Sequence, residues 1–194
     1  GDTLLIGGSG GGHAVPEALI VALEQRYLKE TKPKRITLLH PVGIGDNVSQ
    51  GVGHLAHPGL LKRIVTAALV NSPAIQKLAE QDAIEAYTLP QGALSQLMRE
   101  MAAGRPGLLS PVGLHTFVDP RLEGGRMNAS ARPDIVRVVE FGGEEWLHVP
   151  NIAPNVGILR GTTADEDGNV SMEHEGAYLG AVDVALAVRS SGEW

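Results

Sequence analysis

Apolar residues fall along the chain in short runs that alternate with helical stripes. The run TLLI (3–6) stops at Gly7 and has the length and bounds of a buried strand. A glycine stretch, GGSGGG (7–12), follows it. Pro16 then opens PEALIVALEQRYLKE, in which Leu19, Leu23 and Tyr27 recur at helical spacing. Pro33 ends that helix, and RITLLH (35–40) reads as a second strand. Strand, glycine turn, helix and strand form a βαβ unit, for which a parallel pair with a right-handed crossover is the default.

The alternation continues. GLLKRIVTAALV (59–70) is a helix, or a helix running into a strand; its periodicity does not decide. Ser72-Pro73 starts a helix with proline at its first position, and IEAYTLP (84–90) is strand-like. QGALSQLMREMAAG (91–104) predicts a helix with Leu94, Leu97, Met98 and Met101 on one stripe and a glycine at its end. Residues 105–128 have no regular period. IVRVVEFGGEEWLHV (135–149) is two strands joined through Gly142-Gly143, NVGILRG is another buried strand, GNVSMEH holds a short strand, and 177–190 is a closing helix. The expected fold class is α/β: an open, mostly parallel sheet with helices on both faces and one antiparallel hairpin, in a single domain over 1–194.

Composition narrows this picture. Hydrophobic residues are 43% of the 194, enough for a core, but aromatics are 4%, so that core is aliphatic. Sixteen basic residues against 22 acidic leave a net charge of −6, which argues against a nucleic-acid partner. From residue 134 onward 3 basic and 11 acidic residues give −8, the mark of a solvated acidic face. No cysteine is present, so disulfides, thiolate metal sites and cysteine nucleophiles are excluded, in keeping with a cytoplasmic location. No apolar run reaches the roughly 18 residues a membrane span needs. The chain opens Gly1-Asp2-Thr3 without methionine and goes straight into a strand, which points to missing residues upstream.

Candidate chemistry starts at the glycine loop. Glycines after a strand in an open α/β sheet let a ligand approach the backbone, and a helix behind them presents free N–H groups. The loop is not a phosphate-binding loop of the Gly-Lys-Ser/Thr kind, because no lysine precedes Lys29, and GxGxxG fails at His13 and at Val15. It does match GxSxG through Gly7, Ser9 and Gly11, which makes Ser9 a candidate hydrolase nucleophile. His54 and His57 share a spacing that could bind metal, but no third ligand lies near, and Lys62 and Arg63 could meet a phosphate. Gln91, at a strand end and helix start in LPQG, can aim an amide at a developing oxyanion. The loop VGLHTFVDPRLEGGRMN is long enough to be functional. Asp165, Asp167 and Asn169 alternate like a calcium loop, but Gly168 is misplaced for one, and a type I′ turn at Asp167-Gly168 is simpler.

Taken together, GDTLLIGGSGGG, GHLAHPGLLKR, EAYTLPQG, AAGRPGLLSPVGLHTFVDPR and ILRGTTADEDGN resemble, in order, the amino-terminal (alpha) half of the family I coenzyme A transferases of the acetate/propionate type. The resemblance covers essentially the whole chain. It implies a transferase of short-chain fatty acid and ketone body metabolism that moves CoA between a short-chain acyl-CoA and a carboxylic acid. In the family a glutamate attacks the thioester, an acyl-glutamyl anhydride forms, CoA returns to give a glutamyl-CoA thioester, and the acceptor carboxylate reverses the sequence. That glutamate lies in a glycine-flanked motif of the carboxy-terminal half, which nothing here resembles; Glu123, Glu173 and Glu175 lack its surroundings. The expectation is therefore an alpha-type domain truncated at both ends, inactive alone, working with a complementary half or beta subunit in a homo- or hetero-oligomer. By the same resemblance Gln91 positions the oxyanion or acyl group, Gly7, Gly8, Ser9 and Gly10 cover the thioester, and Gly113 and Thr116 line the acyl pocket. No metal and no tightly bound cofactor is implied, and coenzyme A enters as substrate. Two other readings stay open: a serine hydrolase using Ser9, and a non-catalytic module binding CoA or a sugar phosphate.

Overall fold

The short apolar runs assemble into a central parallel sheet. The structure, a computed structural model, describes residues 1–191; the last three residues of the expected 1–194 domain lie outside the described residues. In chain order the elements are β1 (Thr3–Ile6), α1 (Glu17–Glu30), β2 (Ile36–His40), a 3-10 turn (Gly51–Leu55), β3 (Leu61–Thr66), α2 (Pro73–Glu80), β4 (Glu85–Thr88) and α3 (Gln91–Ala102). They continue with β5 (Gly107–Ser110), β6 (Arg137–Phe141), β7 (Glu144–Pro150), β8 (Val156–Ile158), β9 (Thr163–Ala164), β10 (Val170–Ser171) and α4 (Ala181–Ser191).

Strands β4-β3-β2-β1-β8 pair in that order, every pair parallel. Alternate side chains of a strand leave on opposite faces, and here both faces are buried. Leu4, Ile6, Leu38, Ile64 and Ala86 pack with Ile20, Tyr27 and Ile75 from α1 and α2. Leu5, Leu39, Val65 and Tyr87 pack on the other side with the α3 stripe and with Val184 and Ala187 of α4. A separate antiparallel sheet, β5-β7-β6, closes that second side through Leu108, Leu147 and Val149.

The α/β class, the parallel sheet, the α3 stripe and the Gly142-Gly143 hairpin stand as expected; Phe141 pairs with Glu144 across that two-residue turn. Five details differ. Residues 59–70 form no helix: they hold β3, and because Ile64 and Val65 are buried on opposite sheet faces, the apolar positions Leu60, Leu61, Ile64, Val65 and Leu69 fall at helical spacing and imitate a buried helix. Residues 105–128 are not wholly irregular, because β5 pairs with β7, a partner too distant in sequence for local pattern to reveal. In α1 the buried stripe is Ile20, Leu23 and Tyr27, while Leu19 faces solvent at 52% exposure. The closing helix starts at Ala181, after Gly180, rather than at residue 177. A second hairpin, β9-β10, joins the one expected. Its turn is centred on Glu166-Asp167 rather than Asp167-Gly168, and neither central residue has the positive φ of type I′; only Gly168, which follows them, does.

Candidate active site

Because the central strands run parallel, all five carboxyl ends lie on one edge. Connections leaving that edge go to opposite faces at two places. After β1 the chain passes to α1 on one face, and after β8 to α4 on the other. After β3 it passes to α2 on the first face, and after β4 to α3 on the second. Such reversals open crevices in which α/β proteins hold ligands.

The glycine loop occupies the first reversal. Gly7 N–H donates to the Ile158 carbonyl of β8 at 3.0 Å. The loop then closes on itself through reciprocal Ser9–His13 backbone bonds of 2.9 and 3.1 Å. It is also joined to the loop after β2: Gly10 N–H donates to the Gly43 carbonyl at 2.8 Å, and Gly45 N–H to the Gly10 carbonyl at 2.9 Å. Gly45, at φ +147°, lies so near the chain after β3 that a Cβ would run into the Asn71 carbonyl oxygen. Three successive strand ends are thus held backbone to backbone. The helix behind the loop begins where the sequence puts it, at Glu17 just after Pro16, and the Glu17 carboxylate accepts the Gly51 N–H at 3.0 and 3.1 Å.

The second reversal holds an open cavity of about 460 Å³. Ala67, Ala68 and Asn71 reach it from the end of β3, Thr88 and Gln91 from the end of β4 and the start of α3, and Thr116 and Phe117 from the long loop after β5. Gly43 lines it too, which connects the cavity to the glycine loop through the Gly10 bond. Gln91 and Thr116, two of the expected site residues, therefore share one cavity. Gly113 stands behind it: its carbonyl accepts the Thr116 hydroxyl at 2.8 Å, and a Cβ there would press on Leu147 and Val118. Gly7, Gly8, Ser9 and Gly10 lie at the neighbouring reversal instead of in the cavity lining.

The wall carrying Thr116 and Phe117 is anchored by Asp119, which is 1% exposed. Its carboxylate accepts Arg121 Nη2 at 2.7 Å and Nε at 2.9 Å and the backbone N–H groups of His115 and Arg121 at 3.0 Å. These hydrogen bonds, the Arg121 guanidinium foremost, hold its carboxyl well below the usual range. Arg121 also reaches both Glu145 oxygens at 2.9 Å, tying the loop to β7.

Below the same sheet edge His40 is 1% exposed. Its Nδ1 lies 2.6 Å from the Val42 carbonyl and 3.0 Å from Thr66 Oγ1, while its Nε2 is buried without a partner among the described residues. Burial lowers its pKa to about 4, against the opposing pull of the Val42 hydrogen bond, so it is neutral near pH 7. Nothing in the sequence around His40 singled it out, and Gly43 and Gly45 were visible only as a second glycine pair after a strand.

Other expectations resolve into structural roles. Ser9 meets His13 only through the backbone, and no histidine ring bonds its hydroxyl among the described residues, so the hydrolase arrangement is not built. His54 and His57 both contact Glu24, each at 2.7 Å, and no three His, Asp or Glu side chains among the described residues converge as a metal site. Burial by itself would raise Glu24, but the hydrogen bonds from His57 and His54 together outweigh it and leave the carboxyl below its ordinary value. Arg63 is not free for a phosphate: it pairs with Glu85 at 2.5 Å and lies over the Tyr87 ring. Asp165 is spent on its own turn, accepting the Asp167 and Asn169 N–H groups at 3.0 and 2.8 Å.

Residues 1–190 match the coenzyme A transferase family model. The chain belongs to the coenzyme A transferase family. It is 40% identical over 190 residues to the acetate CoA-transferase YdiF of Escherichia coli K12, covering 98% of this chain and 36% of that protein. It is 40% identical over 177 residues to the caffeate CoA-transferase of Acetobacterium woodii, covering 91% of this chain and 34% of that one. A crystal structure of the Escherichia coli O157:H7 acyl-CoA transferase YdiF, a thioester complex with CoA, superposes with a TM-score of 0.96 at 40% identity, covering 98% of this chain and 37% of that one. This CoA-transferase chain spans little more than a third of the length of these relatives. No helix among its described residues is long and apolar enough to cross a membrane.

Proposed function

We propose that this chain is the amino-terminal, non-nucleophilic half of an acyl-CoA:carboxylate CoA-transferase. The observation that carries the reading is the cavity at the β3/β4 reversal. It gathers Gln91 and Thr116 beside the glycine loops, and no carboxylate of the described residues lines it. A site that handles an acyl group without a nucleophile of its own suits a glutamate delivered by the complementary half. Glu175 and Glu173, the glutamates nearest the end of the described chain, are occupied with Arg160 and Thr163.

In this reading the glutamate of the other half attacks the thioester carbonyl. The carbonyl oxygen becomes an oxyanion, and the Gln91 side-chain amide donates to it; one such donor is worth roughly 3–4 kcal/mol in the transition state. CoA leaves as thiolate and an anhydride remains. The thiolate then attacks the glutamyl carbonyl, expels the donor carboxylate and leaves glutamyl-CoA, from which an acceptor carboxylate takes CoA by the reverse steps. Gly7, Gly8, Ser9 and Gly10 cover the thioester, and Thr116, backed by Gly113, borders the acyl group. CoA is a substrate here, not a resident cofactor. The working enzyme is a cytoplasmic oligomer of both halves, a location suited to a cysteine-free chain.

The test is reconstitution. The chain alone and the chain with its complementary half are assayed with acetyl-CoA and labelled propionate. Label should enter propionyl-CoA only when both halves are present. Full transfer by the 194 residues alone would refute the reading.

A further inference from the structure

We infer that the cavity at the β3/β4 reversal selects uncharged acyl chains over chains ending in a second carboxylate, with Phe117 setting the bulk it accepts. This rests on the transferase reading above and names the substrates that reading leaves open.

The charge argument comes from the lining. No lysine, arginine or histidine of the described residues lines the cavity. Its polar side chains are neutral ones, Asn71, Thr88, Gln91 and Thr116, and the Thr116 hydroxyl is already given to the Gly113 carbonyl. Nor, among the described residues, is the nearest arginine free. Arg121, just past the lining residue Val118, is held by Asp119 and Glu145, and Arg126 is paired with Asp134. His115, beside Thr116, gives its backbone N–H to Asp119, and its ring is outside the lining. A terminal carboxylate carried into this cavity would lose water and find no opposite charge among the described lining residues, a cost that an apolar chain end avoids.

The size argument comes from Phe117. It is the largest side chain in the lining and is 41% exposed, so it is a wall of the cavity and not a member of the core. Its neighbour Val118 is 4% exposed and Asp119 is fixed by four hydrogen bonds, so the backbone that presents the ring is held in place. Ala67 and Ala68 keep the lining at the end of β3 shallow. Truncating Phe117 therefore adds room without disturbing packed core.

The experiment uses the complete enzyme, both halves together, with acetyl-, propionyl-, hexanoyl- and succinyl-CoA as donors. The expected kcat/KM for succinyl-CoA is about 10²-fold below that for propionyl-CoA, the penalty of an unpaired charge in a partly open site. Phe117→Ala should raise the hexanoyl-to-acetyl ratio about 10-fold, in line with the worth of a few methylenes in an apolar pocket. Phe117→Leu, the milder change, should move it the same way by less. Phe117→Arg should raise the succinyl-to-propionyl ratio by supplying the missing charge. Succinyl-CoA used within a few-fold of propionyl-CoA overturns the charge selection while leaving the transferase reading intact. An unchanged chain-length order in both Phe117→Ala and Phe117→Leu overturns the role of Phe117. A complete enzyme that transfers none of the four acyl groups refutes the transferase reading itself, and this selection with it.

Discussion

Lowering the pH should unfold this protein partly through one residue, His40. Its Nδ1, at 2.6 Å from the Val42 carbonyl, must carry the ring proton, because a carbonyl only accepts. Nε2 is then the bare nitrogen, and it is buried without a partner among the described residues. Protonating it would place an N–H and a full charge where no acceptor waits. Burial accordingly lowers the His40 pKa from 6.5 to about 4. The unfolded chain takes up this proton near pH 6.5 and the folded chain only near pH 4, so the folded state is favoured at high pH. Its contribution is fully present above about 6.5, falls between about 6.5 and 4, and changes no further below that. At about 1.36 kcal/mol per pH unit, the gap between 6.5 and about 4 is worth about 3 kcal/mol. His40→Asn keeps an N–H for the Val42 carbonyl but does not titrate. Urea unfolding of both proteins, followed by circular dichroism from pH 7.5 to 3.5, isolates the effect, since every other titrating group is shared. The stability of the parent minus that of the variant should fall by about 3 kcal/mol across the window. A difference that stays constant with pH would show that His40 is not held neutral, and the argument from its orphaned nitrogen would fail.

Two other outcomes follow from the site. In the completed enzyme Gln91→Ala should lower kcat by about 10²-fold or more, as removal of an oxyanion donor does, whereas an unchanged rate would make Gln91 a helix-start residue only. Gly8 has φ +108°, and a Cβ there would come within 2.8 Å of the Ala14 carbonyl oxygen; Gly8→Ala should therefore cost about 2 kcal/mol in denaturant unfolding and weaken transfer, and full stability would mean that the loop can relax around a side chain.

The local setting of the candidate residues was legible before any fold was known. Glycines after an apolar run, and a glutamine between a strand end and a helix start, are local patterns, and each stands where the pattern put it. The α3 stripe was legible for the same reason: a helix with one buried face writes its period into four side chains. β3 was not, because its neighbours Ile64 and Val65 are buried on opposite faces, so the strand shows no alternation of polar and apolar positions. Nor was the Asp119 anchor, whose Arg121 partner is in turn held by Glu145 on a separate strand. His40 was hidden as well, since a histidine at the end of a strand looks alike whether it is solvated or sealed.

By itself the sequence determined the alternation of strands and helices outside β3 and β5, the α/β class and the residue types offered at each strand end, because these depend on the spacing of neighbours along the chain. The tertiary structure alone decided which strand ends lie together. The two reversals of crossover direction, the joining of the loops at Gly10 and Gly43, and the uncharged cavity between Ala67, Gln91 and Phe117 all come from segments distant in sequence. Packing both faces of a parallel sheet brings such segments together, and that packing is a property of the whole chain, which no local period encodes.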